Sequence, residues 1–105
     1  MCVYVDDMEA EFKPKHRPGV TYILCHMIAD TEEELHAMAD RIGLDRKWYQ
    51  GDHYDVGKTK KILAIKSGAR LITWRQAGAM MRLKRNGLPM GDPATAVNRI
   101  QAIKF

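Results

Sequence analysis

The sequence predicts an α/β fold: a small, mostly parallel sheet of three to four strands flanked by helices, with an extra helix at the C-terminal end. Three observations carry that expectation. Short β-prone runs alternate with stretches of apolar residues at helical spacing, an order that favours a mainly parallel sheet with helices against it. The helical stretches open on cap residues and close on glycine or basic side chains. The 105 residues, 46% hydrophobic and 29% charged, suit a single domain, residues 1–105, with one core.

Met1-Cys2-Val3-Tyr4-Val5 is short, apolar and β-prone, and stops at Asp6-Asp7, which reads as a buried strand. Residues 8–19 hold Pro14, Pro18 and Gly19 and predict a long mobile loop. Val20 to Ile28 is the second strand. Thr31 and Glu34 have capping-box spacing, and Leu35, Met38, Ala39 and Ile42 follow at helical spacing up to Gly43. Asp45 to Gln50 predicts a short strand centred on Trp48 and Tyr49. After a polar loop, Asp55 is placed to cap a helix running to about Ser67. Residues 69–73 form the next strand, and Thr73 with Gln76 opens a helix whose last turn carries Arg82, Lys84 and Arg85. Asp92-Pro93 starts the final helix, within a C-terminal appendage at residues 88–105.

Charge is unevenly spread. The net +4 arises from about −6 over residues 1–40 and about +9 over residues 41–85. The basic middle, with Trp48, Tyr49, Tyr54 and Trp74 nearby, fits phosphate contacts and base stacking, or an acidic surface of the same fold. No apolar run approaches the roughly 20 residues of a membrane span. Asp6, Asp7 and Glu9 stand where a signal peptide needs apolar residues, so a cytoplasmic location with no membrane partner is expected. Cys2 and Cys25, with no C-x-x-C spacing, read as structural thiols.

The candidate site centres on Gln50-Gly51-Asp52-His53-Tyr54-Asp55-Val56-Gly57-Lys58-Thr59, which reads as a loop entering a helix. In parallel sheets ligands gather beyond the carboxyl ends of strands, and Asp6, Asp7, Asp30, His53 and Asp55 all follow expected strand ends. Asp6, Asp7, Asp30 and Asp55 are candidate metal ligands, because hard oxygens suit Mg²⁺ or Mn²⁺ ahead of Zn²⁺. His53, Asp7 and Asp55 are the candidate catalytic residues, with His53 as general base or further ligand. Lys58, Lys61 and Tyr54 are candidates for phosphate or nucleic acid. His26 alternates with Leu24 and Ile28 and reads as a buried, hydrogen-bonded histidine. Gly57-Lys58-Thr59 ends like a phosphate-binding loop, but Asp52 stands where its first glycine is required. No organic cofactor is indicated.

Val3-Tyr4-Val5-Asp6-Asp7, Cys25-His26-Met27-Ile28-Ala29-Asp30, and Trp48-Tyr49-Gln50 leading to His53-Tyr54-Asp55 together resemble a domain of unknown function, number 4031, found in bacteria and their phages. The resemblance spans roughly residues 1–75 and implies no activity. From the residues themselves, the expected function is a metal-dependent hydrolase or phosphodiesterase acting on a nucleotide or nucleic acid. The alternative is a non-catalytic module binding nucleic acid or a protein partner, for example a phage factor acting on a host component.

Overall fold

The computed structural model describes residues 2–103, so Met1 of the first expected strand, and Lys104 and Phe105 of the C-terminal segment, lie outside the described residues. Strands β1 (Val3–Val5), β2 (Ala10–Phe12), β3 (Tyr22–Ala29), β4 (Tyr54–Gly57) and β5 (Arg70–Leu71) form one sheet. Helices α1 (Glu32–Arg41), α2 (Lys58–Lys66), α3 (Trp74–Arg85) and α4 (Pro93–Ala102) accompany it. The α/β class is as expected, but the sheet is mostly antiparallel. Among the described residues only β1 and β5 pair in parallel; β1, β2 and β4 all run antiparallel to β3.

The reason lies in the connections. Helix α1 carries the chain back only ~15 Å at 1.5 Å per residue. The connector after it, through a 3-10 turn at Arg46–Trp48, returns the chain before β4 begins. The segment from β3 to β4 is therefore not a crossover. The following unit, β4-α2-β5, is one: β4 and β1 both oppose β3, and β5 runs parallel to β1.

Leu24 pairs with Ala10 and with Gly57, and Met27 pairs with Val5 and with Tyr54. Strands β1 and β2 thus share one edge of β3, and β4 occupies the other. Between β1 and β2, residues 6–9 oppose only Cys25 and His26, a bulge in which Glu9 takes a left-handed φ of 48°. The expected loop at 8–19 therefore contains a short paired strand. Its three residues, Ala10 to Phe12, are all exposed and too few to show a period.

Side-chain alternation divides the interior in two. Val5, Met27, Tyr54 and Val56 face α1 and α2, burying Leu35, Ala39 and Ala64 with them. Tyr4 and Ile28 point the other way, onto Ala77, Met80 and Leu83 of α3 and Ala96 of α4. Each fully buried side chain of the size of Leu35 or Met80 contributes about 1.5–3 kcal/mol. The C-terminal segment is thus built into the second core, with Met90 and Ala96 buried.

Three expected caps are present: Thr31 accepts from the Glu34 N–H, Thr73 forms a full capping box with Gln76, and Asp92 accepts from the Ala94 N–H ahead of Pro93. Two local expectations give way. Residues 46–48 form the 3-10 turn, capped by Asp45, instead of a strand. Asp55 lies within β4, and the residue before α2 is Gly57, which has no side chain to cap with.

Candidate metal centre

Tyr4 and Ile28 belong to the second core, so Asp6 and His26, each two residues away along its strand, face the same side of the sheet. Asp55 lies between Tyr54 and Val56 of the first core and points to that side as well. Register places His26 directly opposite Asp55 across β3 and β4. His53, just before β4, brings its ring to 5.2 Å from the His26 ring, edge to face at 75°. One donor atom from each of His26, His53 and Asp55 lies within 4.8 Å of the others.

Each imidazole is held from behind. His26 Nδ1 is 2.7 Å from Asp6 Oδ2, and the Asp6 Oδ1 accepts the backbone N–H of His26 at 2.8 Å and of Met8 at 3.2 Å. Asp6 is wholly buried, and its own N–H donates back to the His26 carbonyl. His53 Nδ1 is 2.6 Å from Asp52 Oδ1, while Asp52 Oδ2 accepts the Arg85 Nε–H at 2.5 Å. Asp55 Oδ1 stands 3.5 Å from His53 Nε2, and Asp55 Oδ2 accepts from the Gln50 amide at 2.7 Å. A carboxylate on Nδ1 fixes the proton there and leaves Nε2 with its lone pair, the arrangement that orients metal-binding histidines.

The family model for proteins of unknown function DUF4031 matches residues 3–84. The chain belongs to this family. No curated protein and no solved structure matches it. The DUF4031 match includes Asp6, His26, Asp52, His53 and Asp55, and ends just before Arg85.

Within this DUF4031 chain the titration of the Asp6–His26 pair follows from its geometry. Burial pushes the Asp6 carboxyl up, but the hydrogen bonds from His26 and Met8 outweigh it and hold the group below its ordinary value. The Asp6 hydrogen bond raises His26, against the opposing effect of burial. The Arg85 guanidinium lowers Asp52, with burial opposing and His53 assisting. In metal-free protein, the Asp6 contribution is complete above about pH 4 and is lost as pH falls through the depressed folded value. The His26 contribution is complete below about pH 6.5 and is lost as pH rises through the raised folded value. The thermal midpoint gap between the parent chain and His26→Gln, measured with chelator present, should therefore be widest between about pH 4 and 6.5. A gap that instead grows through neutrality would count against the ion pair.

The other expected site residues lie elsewhere. Asp7 Oδ1 accepts the Trp74 N–H at 2.7 Å, so it caps α3 from a distant part of the chain. Asp30 follows the far end of β3, roughly 13 Å along the strand from His26 at ~3.3 Å per residue. Tyr54 is fully buried and its hydroxyl lies 2.7 Å from His36 Nδ1, which removes it from any ligand surface. Lys58 and Lys61 line a cavity with Ile23, Cys25 and Ile62 on the α2 side, across the sheet from His26 and Asp55. Cys25 is buried on that same side, and burial pushes its thiol up to about 12. The geometry thus joins His53 and Asp55 to His26 and gives Asp6 the supporting position. Asp52, which the sequence marked only as breaking the phosphate-loop pattern, is the second support. The available signal was its adjacency to His53.

Proposed function

We propose that the protein is a metal-dependent hydrolase of phosphate esters acting on a nucleotide or nucleic acid, with His26, His53 and Asp55 holding a divalent cation. The observation that carries this reading is the convergence of three donors within 4.8 Å, two of them imidazoles each backed by its own carboxylate. Two nitrogens and one oxygen suit Zn²⁺ or Mn²⁺ better than Mg²⁺, which favours oxygen ligands. Three protein ligands leave coordination positions for water and a phosphate oxygen. Held there, a cation would supply Lewis acidity and would lower the pKa of a bound water. The chain's part is to keep the proton of each imidazole at Nδ1 and to hold Asp55 in place through Gln50.

The test is a thermal melt of chelator-stripped protein with Zn²⁺, Mn²⁺ or Mg²⁺ added in turn, followed by turnover of a nitrophenyl phosphodiester. At a hundredfold excess over Kd, binding contributes about 2.7 kcal/mol, or roughly 10–20 °C for a domain near this size. Zn²⁺ or Mn²⁺ should give that rise, and turnover should require the same ion. A midpoint that no cation moves sinks the reading.

A further inference from the structure

Beside the metal-ligand cluster lies an open cleft of about 580 Å³, whose walls include Phe12, Arg17, Tyr22, Trp48, Gln50 and Asp55. We infer that it seats an unpaired nucleobase, placing the attached phosphate before His26, His53 and Asp55. This inference rests on the proposed hydrolase reading for the phosphate's destination, but the base seat stands on its own observations. Phe12 and Tyr22 are direct partners across β2 and β3, so their rings lie on one face of the sheet. Trp48 reaches the cleft from the 3-10 turn. The three side chains remain 49%, 38% and 58% exposed, respectively.

Polar groups at the rim fit the rest of a nucleotide. Arg17 Nη1 donates to the Tyr22 hydroxyl at 2.8 Å, which fixes the guanidinium and leaves further N–H donors for a phosphate. Lys47 Nζ lies 5.3 Å from the Trp48 ring centre, a second cation beside the aromatic wall. Asp55 belongs to both sites, with one oxygen toward His53 and the other bonded to Gln50 of the cleft. Stacking rings accept any base, since every base presents a π face, but a base inside a duplex has both faces covered by its neighbours. The ligand is therefore a free nucleotide or a single strand, and a blunt duplex is excluded.

The test uses full-length protein in chelator and follows the anisotropy of a short labelled single strand. Nucleoside monophosphates and ribose 5-phosphate serve as competitors. Single strand should bind, nucleoside monophosphate should compete, and blunt duplex and ribose 5-phosphate should not. Phe12→Ala and Trp48→Ala should each weaken binding about tenfold or more. Neither should alter the metal-induced shift in melting temperature. His53→Ala should do the reverse, losing the metal shift and keeping base affinity, so failure of the metal centre is distinguishable from failure of the base seat. Equal competition by ribose 5-phosphate, or unchanged affinity in folded Trp48→Ala protein, would overturn the inference. If the monophosphate competes as well as an unlabelled strand, the ligand is the free nucleotide. If the strand is far tighter, it is the polymer.

Discussion

Alanine in place of His53 is expected to remove nearly all of the stabilisation that Zn²⁺ or Mn²⁺ would give at the proposed site. His53 is one of the three proposed donors, and its Nε2 faces Asp55 Oδ1 at 3.5 Å. Loss of a supporting carboxylate alone typically costs 10–100-fold in metal affinity, so Asp52→Asn should fall in that range and His53→Ala should exceed ~100-fold. At a metal concentration that gave the parent about 2.7 kcal/mol, a hundredfold weaker site retains only a few tenths, and the melt with metal should nearly superimpose on the melt with chelator. The measurement is paired thermal melts of both variants across a metal titration. A His53→Ala protein that keeps the parental shift would falsify His53 as a ligand and return the cluster to a purely structural role.

The second large effect separates two neighbouring carboxylates. Asp6→Ala should destabilise the chain by about 3–5 kcal/mol, because it leaves the partly buried His26 imidazole and two backbone N–H groups without their acceptor. Against a typical total of about 5–15 kcal/mol, that loss leaves little. Asp7→Ala should cost only about 0.5–2 kcal/mol, since it removes a cap bond to the exposed start of α3. Asp6→Asn is the informative intermediate. Its carbonyl oxygen can still accept the N–H groups of His26 and Met8, while its NH₂ would face His26 Nδ1. That contact turns Nδ1 into an acceptor and moves the ring proton to Nε2, the atom a metal needs free. Asp6→Asn should thus recover part of the stability in urea denaturation and still bind metal poorly. Equal losses for Asp6→Ala and Asp7→Ala would contradict the burial argument.

What the sequence disclosed follows the range of the forces involved. Thr31, Thr73 and Asp92 were legible as helix starts because a cap bond spans two or three residues and needs nothing else. The direction of β4 was not, because it depends on how far the connector after α1 travels, and no local pattern records that. Glycines flanking residues 52–56 read as loop and hid the alternation of Tyr54, Asp55 and Val56 within a strand. Asp55 consequently read as a cap. His26 was expected on a strand, buried and hydrogen-bonded; it is on β3 and bonded to Asp6, but its ring stays 22% exposed, and its partner could not be named from the sequence. The meeting of His26 with Asp55 rests on one register between β3 and β4, and a slip of one residue would put them on opposite faces.

The parallel pairing of Tyr4 with Arg70 links strands far apart in the chain, and this has a consequence for the order in which a nascent polypeptide can mature. Asp6, His26, Asp52, His53 and Asp55 all precede β5 and α3 in the chain, so they leave the ribosome first. Strands β3 and β4, which carry the donors, and β1, which leads into Asp6, can pair early, with α1 and α2 to cover one face. The other face stays bare until α3 docks Met80 and Leu83 on it, a late step because closing so long a span is entropically slow. The same docking delivers Arg85 to Asp52. Translation of the last third of the chain therefore does two things at once: it seals the hydrophobic interior and tightens the carboxylate behind His53. A chain released before α3 would carry every donor of the centre, yet hold His53 without its brace.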